Sequence, residues 1–168
     1  MKERNHHTHE SLSHPFDPIL FLDTRILILG TFPSVDSFKH NFYYAHGRNQ
    51  FWPILSTISG YPVHNRDQKI WLLKQMRWGL WDMVSACSRS NSLDSSLRGI
   101  EVNDIPALLR RSPSINKVLF TGRKAQELFE RRFGDLEIER DYLPSPSPAY
   151  ASMSFDEKVE AYRKLLCN

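Results

Sequence analysis

The residues best equipped for chemistry cluster between Arg25 and Leu55, in the stretch RILILGTFPSVDSFKHNFYYAHGRNQFWPIL. Within it Asn49 carries a donor and an acceptor on one short side chain. Phe32, Tyr43 and Tyr44 offer flat apolar faces, and His46 and Arg48 offer cationic groups. Further along, Arg123 and Lys124 add positive charge, and Ser145 and Ser147 place hydroxyls between Pro144, Pro146 and Pro148. Each proline locks φ, so those hydroxyls sit on a stiff loop. Stacking faces, one amide and a basic rim suit a nucleobase attached to a phosphate backbone. They suit a small anionic metabolite nearly as well.

Four strands must hold these groups in place. Arg25–Leu29 is a short apolar run with β-branched residues that breaks at Gly30, which predicts a central strand covered on both faces. The turn Thr31-Phe32-Pro33-Ser34 follows, then the aromatic and basic loop Tyr43–Asn49, then a helix from about Gln50 to Ser59 stopped by Gly60-Tyr61-Pro62. Asp67 is placed to cap a further helix through Met76. Trp78–Val84 reads as a second strand, and the Ser- and Arg-rich stretch Cys87–Gly99 as a surface loop. Asn103 is placed to cap a helix through Arg110, and Lys117–Phe120 is a third strand turning at Thr121-Gly122 into a helix over Arg123–Phe133, with Gly134 in the C′ position. Leu136–Tyr142 reads as a fourth strand, Leu143–Tyr150 as a rigid loop, and Ser154-Phe155-Asp156-Glu157 as the capping box of a last helix to about Leu166.

Alternating strands and helices predict a three-layer α/β/α fold around a central, mostly parallel four-stranded sheet. Right-handed crossovers then gather the Thr31–Asn49 loop, the Gly122-Arg123 turn and the Pro144–Tyr150 loop at one sheet edge. The 168 residues predict one domain over 15–168, preceded by a poorly ordered His-rich tail over 1–14. The tail's His6, His7, His9 and His14 lack a scaffold, so they read as incidental and not as a metal site. A net charge of +3 is a weak hint of a nucleic-acid partner. Two cysteines, Cys87 and Cys167, cannot build a disulfide framework or hold an iron–sulfur cluster by themselves. No apolar run is long enough to span a bilayer, so no membrane partner is expected. A cytoplasmic location, nucleoid-associated in a prokaryote, fits.

The combination of ILGTFPS, YYAHGRNQFWPIL and LPSPSPAY resembles the uracil-DNA glycosylase superfamily, and within it the hypoxanthine-DNA glycosylases. That family pairs a G-S-F-P-G-like turn with a Y-Y-A-H-P-R-N-x-F-W segment and a late L-P-S-x-S-P-A-N loop. WGLWDMVSAC, Ser92-Leu93-Asp94 and the Gly-x-x-Ala of Gly122–Ala125 extend the likeness through the middle of the chain. Three positions depart from it: Ser34 where the turn often has Gly, Gly47 where Pro is usual, and Tyr150 where Asn is usual.

The resemblance implies a glycosylase that hydrolyses the N-glycosidic bond of a deaminated base, chiefly hypoxanthine, flipped out of double-stranded DNA; with no lysine clearly placed for a Schiff base, a monofunctional enzyme without lyase activity is expected. It implies Asn49 as the catalytic residue, holding the water that adds to an oxocarbenium-like sugar. Gly30, Thr31, Phe32, Pro33, Tyr43, Tyr44 and His46 would form the base pocket, with Phe32 or Tyr44 stacking on the base. Arg48, Gly122, Arg123, Lys124, Pro144, Ser145, Pro146 and Ser147 would meet the DNA. No cofactor or metal and no obligate protein partner is implied, and a monomer is expected.

Plainer roles compete with these. Asn49 is also a good helix cap. Tyr43, Tyr44, Phe51 and Trp52 suit a core; Trp52 is expected there, with at least one tyrosine facing the cleft. His46 suits a loop hydrogen bond, and Asp82, which ends a strand, suits a structural one more than polarising a group in the cleft; Arg89, Arg98, Arg110, Arg111, Arg131 and Arg132 suit solvent, or in part the DNA path. The rival functions are a uracil or mismatch-specific glycosylase, a non-catalytic binder of DNA lesions or abasic sites, and an unrelated hydrolase of nucleosides or phosphate esters.

Overall fold

The computed structural model describes residues 11–168. Its strands are β1 (Leu12–Ser13), β2 (Ile26–Gly30), β3 (Trp78–Asp82), β4 (Val84–Ser88), β5 (Arg98–Val102), β6 (Lys117–Thr121) and β7 (Glu139–Leu143). Its helices are α1 (Val35–His40), α2 (Phe51–Ser59), α3 (Arg66–Met76), α4 (Ile105–Arg111), α5 (Arg123–Phe133) and α6 (Phe155–Leu166).

Strands β3, β2, β6 and β7 lie side by side in that order, each pair parallel. Parallel neighbours need crossovers, and the crossing helices cover both faces. Every residue of β2 is buried. Ile26 and Ile28 point to one face, where they meet Ile54 and Leu55 of α2, Leu73 of α3 and Val159 and Tyr162 of α6. Leu27 and Leu29 point to the other, with Leu108 of α4 and Leu128 and Phe129 of α5. This period of two explains why the central strand is apolar throughout. The three-layer α/β/α arrangement is the one expected.

A second sheet was not legible in the sequence. β1, β4 and β5 pair antiparallel in the order β1-β4-β5. The expected strand Trp78–Val84 therefore divides. Its first part joins the parallel sheet, Met83 and Val84 donate their N–H groups to the Gly30 and Thr31 carbonyls, and β4 then peels away. The expected surface loop Cys87–Gly99 is strand at both ends, and Cys87 is buried. The expected loose tail is also corrected at its end. Residues 1–10, with His6, His7 and His9, lie outside the described residues, but Leu12–Ser13 pairs with β4 and His14 packs inside.

Local capping moved several boundaries. Ser34 caps α1, accepting the Ser37 N–H, so the hydroxyl at this departure has a structural use. Asn65, not Asp67, caps α3, and Asp104, not Asn103, caps α4. Asn103 instead donates its amide N–H to the Asp82 carbonyl. Gly134 is right-handed helical and not a left-handed C′ residue. The fourth strand begins at Glu139, later than expected.

Candidate active site

β2 and β6 are neighbours, yet their chains leave in opposite directions: β2 continues through α1, α2 and α3 to β3, and β6 through α5 to β7. Such a divergence opens a crevice beyond the carboxyl ends of the strands. A cavity of about 450 Å³ lies there. Four segments wall it: Gly30–Ser34, the Tyr43–Asn49 loop, Ser92–Asp94 and Ser145–Tyr150.

The floor is polar and depends on Gly30. A Cβ at that position would stand 2.5 Å from Asp82 Oδ1, 2.8 Å from the Tyr44 hydroxyl and 3.3 Å from Thr121 Oγ1. With only hydrogen there, two strand ends and the Tyr43–Asn49 loop bring their oxygens together. Tyr44 and Thr121 share a hydrogen bond of 2.8 Å. Burial, reinforced by the Asp82 carboxylate, pushes the Tyr44 phenol far above its ordinary range, so it stays neutral. Tyr44 adopts φ 52°, a left-handed conformation that turns its ring onto Phe51, with centroids 3.8 Å apart. That face is therefore occupied, and Phe32 is the freer stacking surface.

Asn49 sits where the Tyr43–Asn49 loop meets α2. Its backbone N–H donates to the His46 carbonyl at 2.9 Å. Its Oδ1 accepts the Phe51 N–H at 2.9 Å. The helix start thus orients the amide, and Oδ1 keeps a second lone pair for a ligand. Asn49 thus both holds the helix start and lines the cavity. His46 Nδ1 accepts the Arg48 N–H at 3.1 Å, which leaves Nε2 turned toward Asp36 at 3.6 Å.

The late loop is tied to the Asn49 segment. Gln50 N–H donates to the Pro146 carbonyl at 2.9 Å. The Lys158 ammonium, from α6, donates to Gln50 Oε1 and to the Tyr150 carbonyl. The Tyr162 hydroxyl donates to the Pro144 carbonyl at 2.6 Å. Ser145 Oγ accepts the Ser147 N–H, and its own O–H has no acceptor among the described residues. Tyr150 lines the cavity while its carbonyl anchors the loop, so this departure contributes through backbone and ring.

Most of the residues singled out in the sequence converge here. Gly30, Thr31, Phe32, Pro33, Tyr43, Tyr44, His46, Asn49, Ser145, Pro146 and Ser147 all line the cavity. Tyr43 does so only at its edge: it is 2% exposed, and its hydroxyl donates to the Asp17 carbonyl. Trp52 is core, as expected, and donates to the Tyr43 carbonyl. Arg48 and Arg123 are exposed outside the cavity, and the Arg123 guanidinium lies 4.2 Å above the Tyr142 ring. Lys124 stands near enough to Asp94 to favour its charged form. Gly122 and Pro144 are buried and frame the loops without facing solvent.

Sequence reasoning missed His14, Thr121, Asp94 and Arg89, and for Asp82 it ranked a structural hydrogen bond above a polarising role in the cleft. Thr31 Oγ1 donates to Asp94 Oδ2 at 3.0 Å, and burial holds the Asp94 carboxyl above its usual range. Arg89, expected in solvent, is partly buried over Phe32 and Phe38 and donates to the Pro33 carbonyl. It braces the Phe32-Pro33 turn. Asp82, at the end of β3, was the one of these with a readable signal, a charge closing an apolar strand.

The arrangement can bind a flat, polar, uncharged ring, with an amide at the mouth and hydrogen-bonding oxygens at the floor. Comparison with known proteins gives the family. The family model described as the uracil DNA glycosylase superfamily matches residues 19–166. A protein of Methanosarcina acetivorans named hypoxanthine DNA glycosylase is 35% identical over 147 residues, covering 86% of this chain and 92% of that one. A Methanosarcina barkeri protein of the same name is 34% identical over 114 residues, covering 67% and 72%. A solution NMR structure from Methanosarcina acetivorans, assigned to the uracil DNA glycosylases, superposes with a TM-score of 0.77 at 34% identity over 91% of this chain and 97% of that one. Matched over almost its whole described length, the chain belongs to the uracil DNA glycosylase superfamily.

Proposed function

We propose that the protein is a monofunctional DNA glycosylase that releases a deaminated base, chiefly hypoxanthine, from double-stranded DNA. The observation that carries this is the Asn49 amide, fixed by the Phe51 N–H at the mouth of a cavity with a polar floor. The names of the two relatives support hypoxanthine as the base.

The chemistry follows from the groups present. A base in a duplex cannot reach such a cavity, so it must leave the stack. As the N-glycosidic bond breaks, negative charge gathers on the base and positive charge on the sugar. Donors aimed at the base stabilise the first. The Ser145 hydroxyl is available, and the Phe32 N–H has no acceptor among the described residues. Asn49 Oδ1 holds a water against the sugar. Neutral water is sufficient because the oxocarbenium is strongly electrophilic. Among the described residues the cavity lining contains no lysine, which supports attack by water over attack by an amine. Arg48, Arg123 and Lys124 lie outside the mouth, where phosphates would run.

Base release from duplex oligonucleotides containing hypoxanthine, uracil, xanthine or only normal bases tests this, with alkali revealing abasic sites. Hypoxanthine release is expected, and Asn49→Ala is expected to lose roughly 10²–10³-fold of it, the size of effect seen when one transition-state contact is removed. Release of uracil alone would refute the substrate. DNA binding without any release would refute the enzyme and favour a lesion binder.

A further inference from the structure

The back of the cavity holds a histidine–carboxylate pair that base release does not use. His14 arrives on the segment that pairs with β4, and its backbone N–H donates to the Ser85 carbonyl at 2.7 Å. Its Nε2 lies 2.7 Å from Asp82 Oδ2, and the two side chains are only 5% and 6% exposed. The rings of Phe16, Phe32 and Tyr43 enclose the imidazole at 5.5–6.0 Å.

The Asp82 carboxylate, which can only accept, sets Nε2 as the donor, and the surroundings of Nδ1 allow it. Nδ1 stands 3.2 Å from the Phe16 N–H nitrogen and 2.9 Å from the Phe16 carbonyl oxygen. A neutral imidazole accepts from the first, and an imidazolium donates to the second. In both states the proton on Nε2 faces Asp82.

Asp82 is therefore held by one oxygen. Oδ2 is taken by His14, and the Asp82 backbone carbonyl by Asn103. Oδ1 has no hydrogen-bond partner among the described residues and lies over Gly30, whose missing Cβ leaves it open. Asp82 lines the cavity. A carboxylate oxygen with nothing to accept from, at the floor of a pocket, calls for an N–H on the ligand.

Hypoxanthine and uracil carry a lactam N–H where adenine and cytosine carry a bare ring nitrogen. The carboxylate accepts from the first kind and repels the lone pair of the second. We propose that His14 is a positioning residue for base selection: by holding Asp82 Oδ2 it aims Oδ1 at the lactam N–H of the flipped base. The proposal rests on the function proposed above and names what that function needs, a contact that tells a deaminated base from its parent.

The test is a cycle of variants against substrates, measured as single-turnover base release. Hypoxanthine is compared with 1-deazahypoxanthine, in which C–H replaces the N1–H. The wild type is expected to prefer hypoxanthine by roughly ten- to hundredfold, the range for a hydrogen bond to a charged group. Asp82→Ala is expected to erase that preference, and His14→Ala to reduce it severalfold. His14→Gln, whose amide can still donate to Oδ2, is expected to restore most of it. Thermal unfolding checks that each variant folds. Should His14→Ala not fold, Asp82→Asn decides the matter. His14 captures its carbonyl oxygen and turns its NH2 to the cavity, so the preference is lost. Equal losses on both bases in the His14 and Asp82 variants would reduce the pair to a structural role and overturn the proposal. If the wild type releases uracil and not hypoxanthine, the substrate reading fails, but uracil against 3-deazauracil runs the same cycle, and the same losses support or overturn the role of His14. Release of no base overturns both.

Discussion

The Lys158 ammonium lies 2.8 Å from Gln50 Oε1, joining α6 to the residue that follows Asn49. It also reaches the Tyr150 carbonyl at 2.9 Å, and the residue is 1% exposed. A cation is thus buried on neutral acceptors, and it binds the late loop to the Asn49 segment. Burial lowers its pKa from 10.5. Between that lowered value and 10.5 the unfolded chain binds the proton more tightly than the folded one, so stability rises with pH across this window. Lys158→Met lacks this dependence. Urea unfolding at a series of alkaline pH values is expected to show the wild type gaining on the variant as pH climbs. Single-turnover release is expected to fall roughly ten- to hundredfold in the variant, because the loop that faces Asn49 loses its anchor.

Gly30→Ala would place a methyl 2.5 Å from Asp82 Oδ1 and 2.8 Å from the Tyr44 hydroxyl. Neither group can retreat, because His14 holds one and Phe51 packs on the other. A loss of about 1–3 kcal/mol is expected from overpacking, together with loss of base release. Denaturant melts and the oligonucleotide assay measure the two separately. An unchanged protein would show that the three oxygens do not need this approach.

Asp94 titrates with the opposite consequence. Its folded pKa is raised above 3.8, chiefly by burial and against the Thr31 hydrogen bond. The stability it contributes is present below 3.8 and lost as pH rises through the raised value. Asp94→Asn removes this loss and can still accept from Thr31. The variant is expected to gain thermal stability relative to wild type as pH rises from about 4 to 7, and melting curves across that range check it.

Arg48 and Arg123 stand exposed outside the cavity, suited to phosphates and not to the base. Binding to duplex DNA is expected to weaken steeply with salt. Arg48→Ala and Arg123→Ala should each lessen the slope of log affinity against log salt by about 1, with affinity reduced alike for all sequences. Fluorescence anisotropy over a salt series measures both. A slope left intact in both variants would place the DNA path elsewhere.

The sequence by itself determined the central sheet and most of the cavity. β2 and β6 are short apolar runs broken by glycine or threonine-glycine, and burial on both faces leaves that signature locally. The Tyr43–Asn49 loop and the proline-stiffened Pro144–Tyr150 loop were legible for the same reason, since their composition states their conformation. Once strands alternate with helices, the crossover rule alone brings those loops to one edge. Only the tertiary structure decided what closes the cavity. His14 and Asp82 are 68 residues apart, and no periodicity in either segment announces their pairing. β4 and β5 are polar, bulged strands of a small edge sheet, so the Ser-rich segment that carries them reads as loop. Lys158 sits in a helix like any surface lysine until α6 packs against α2 and leaves its charge no path to water. Local patterns record which face of a segment is buried, whereas the partner waiting on that face is set by packing between distant segments.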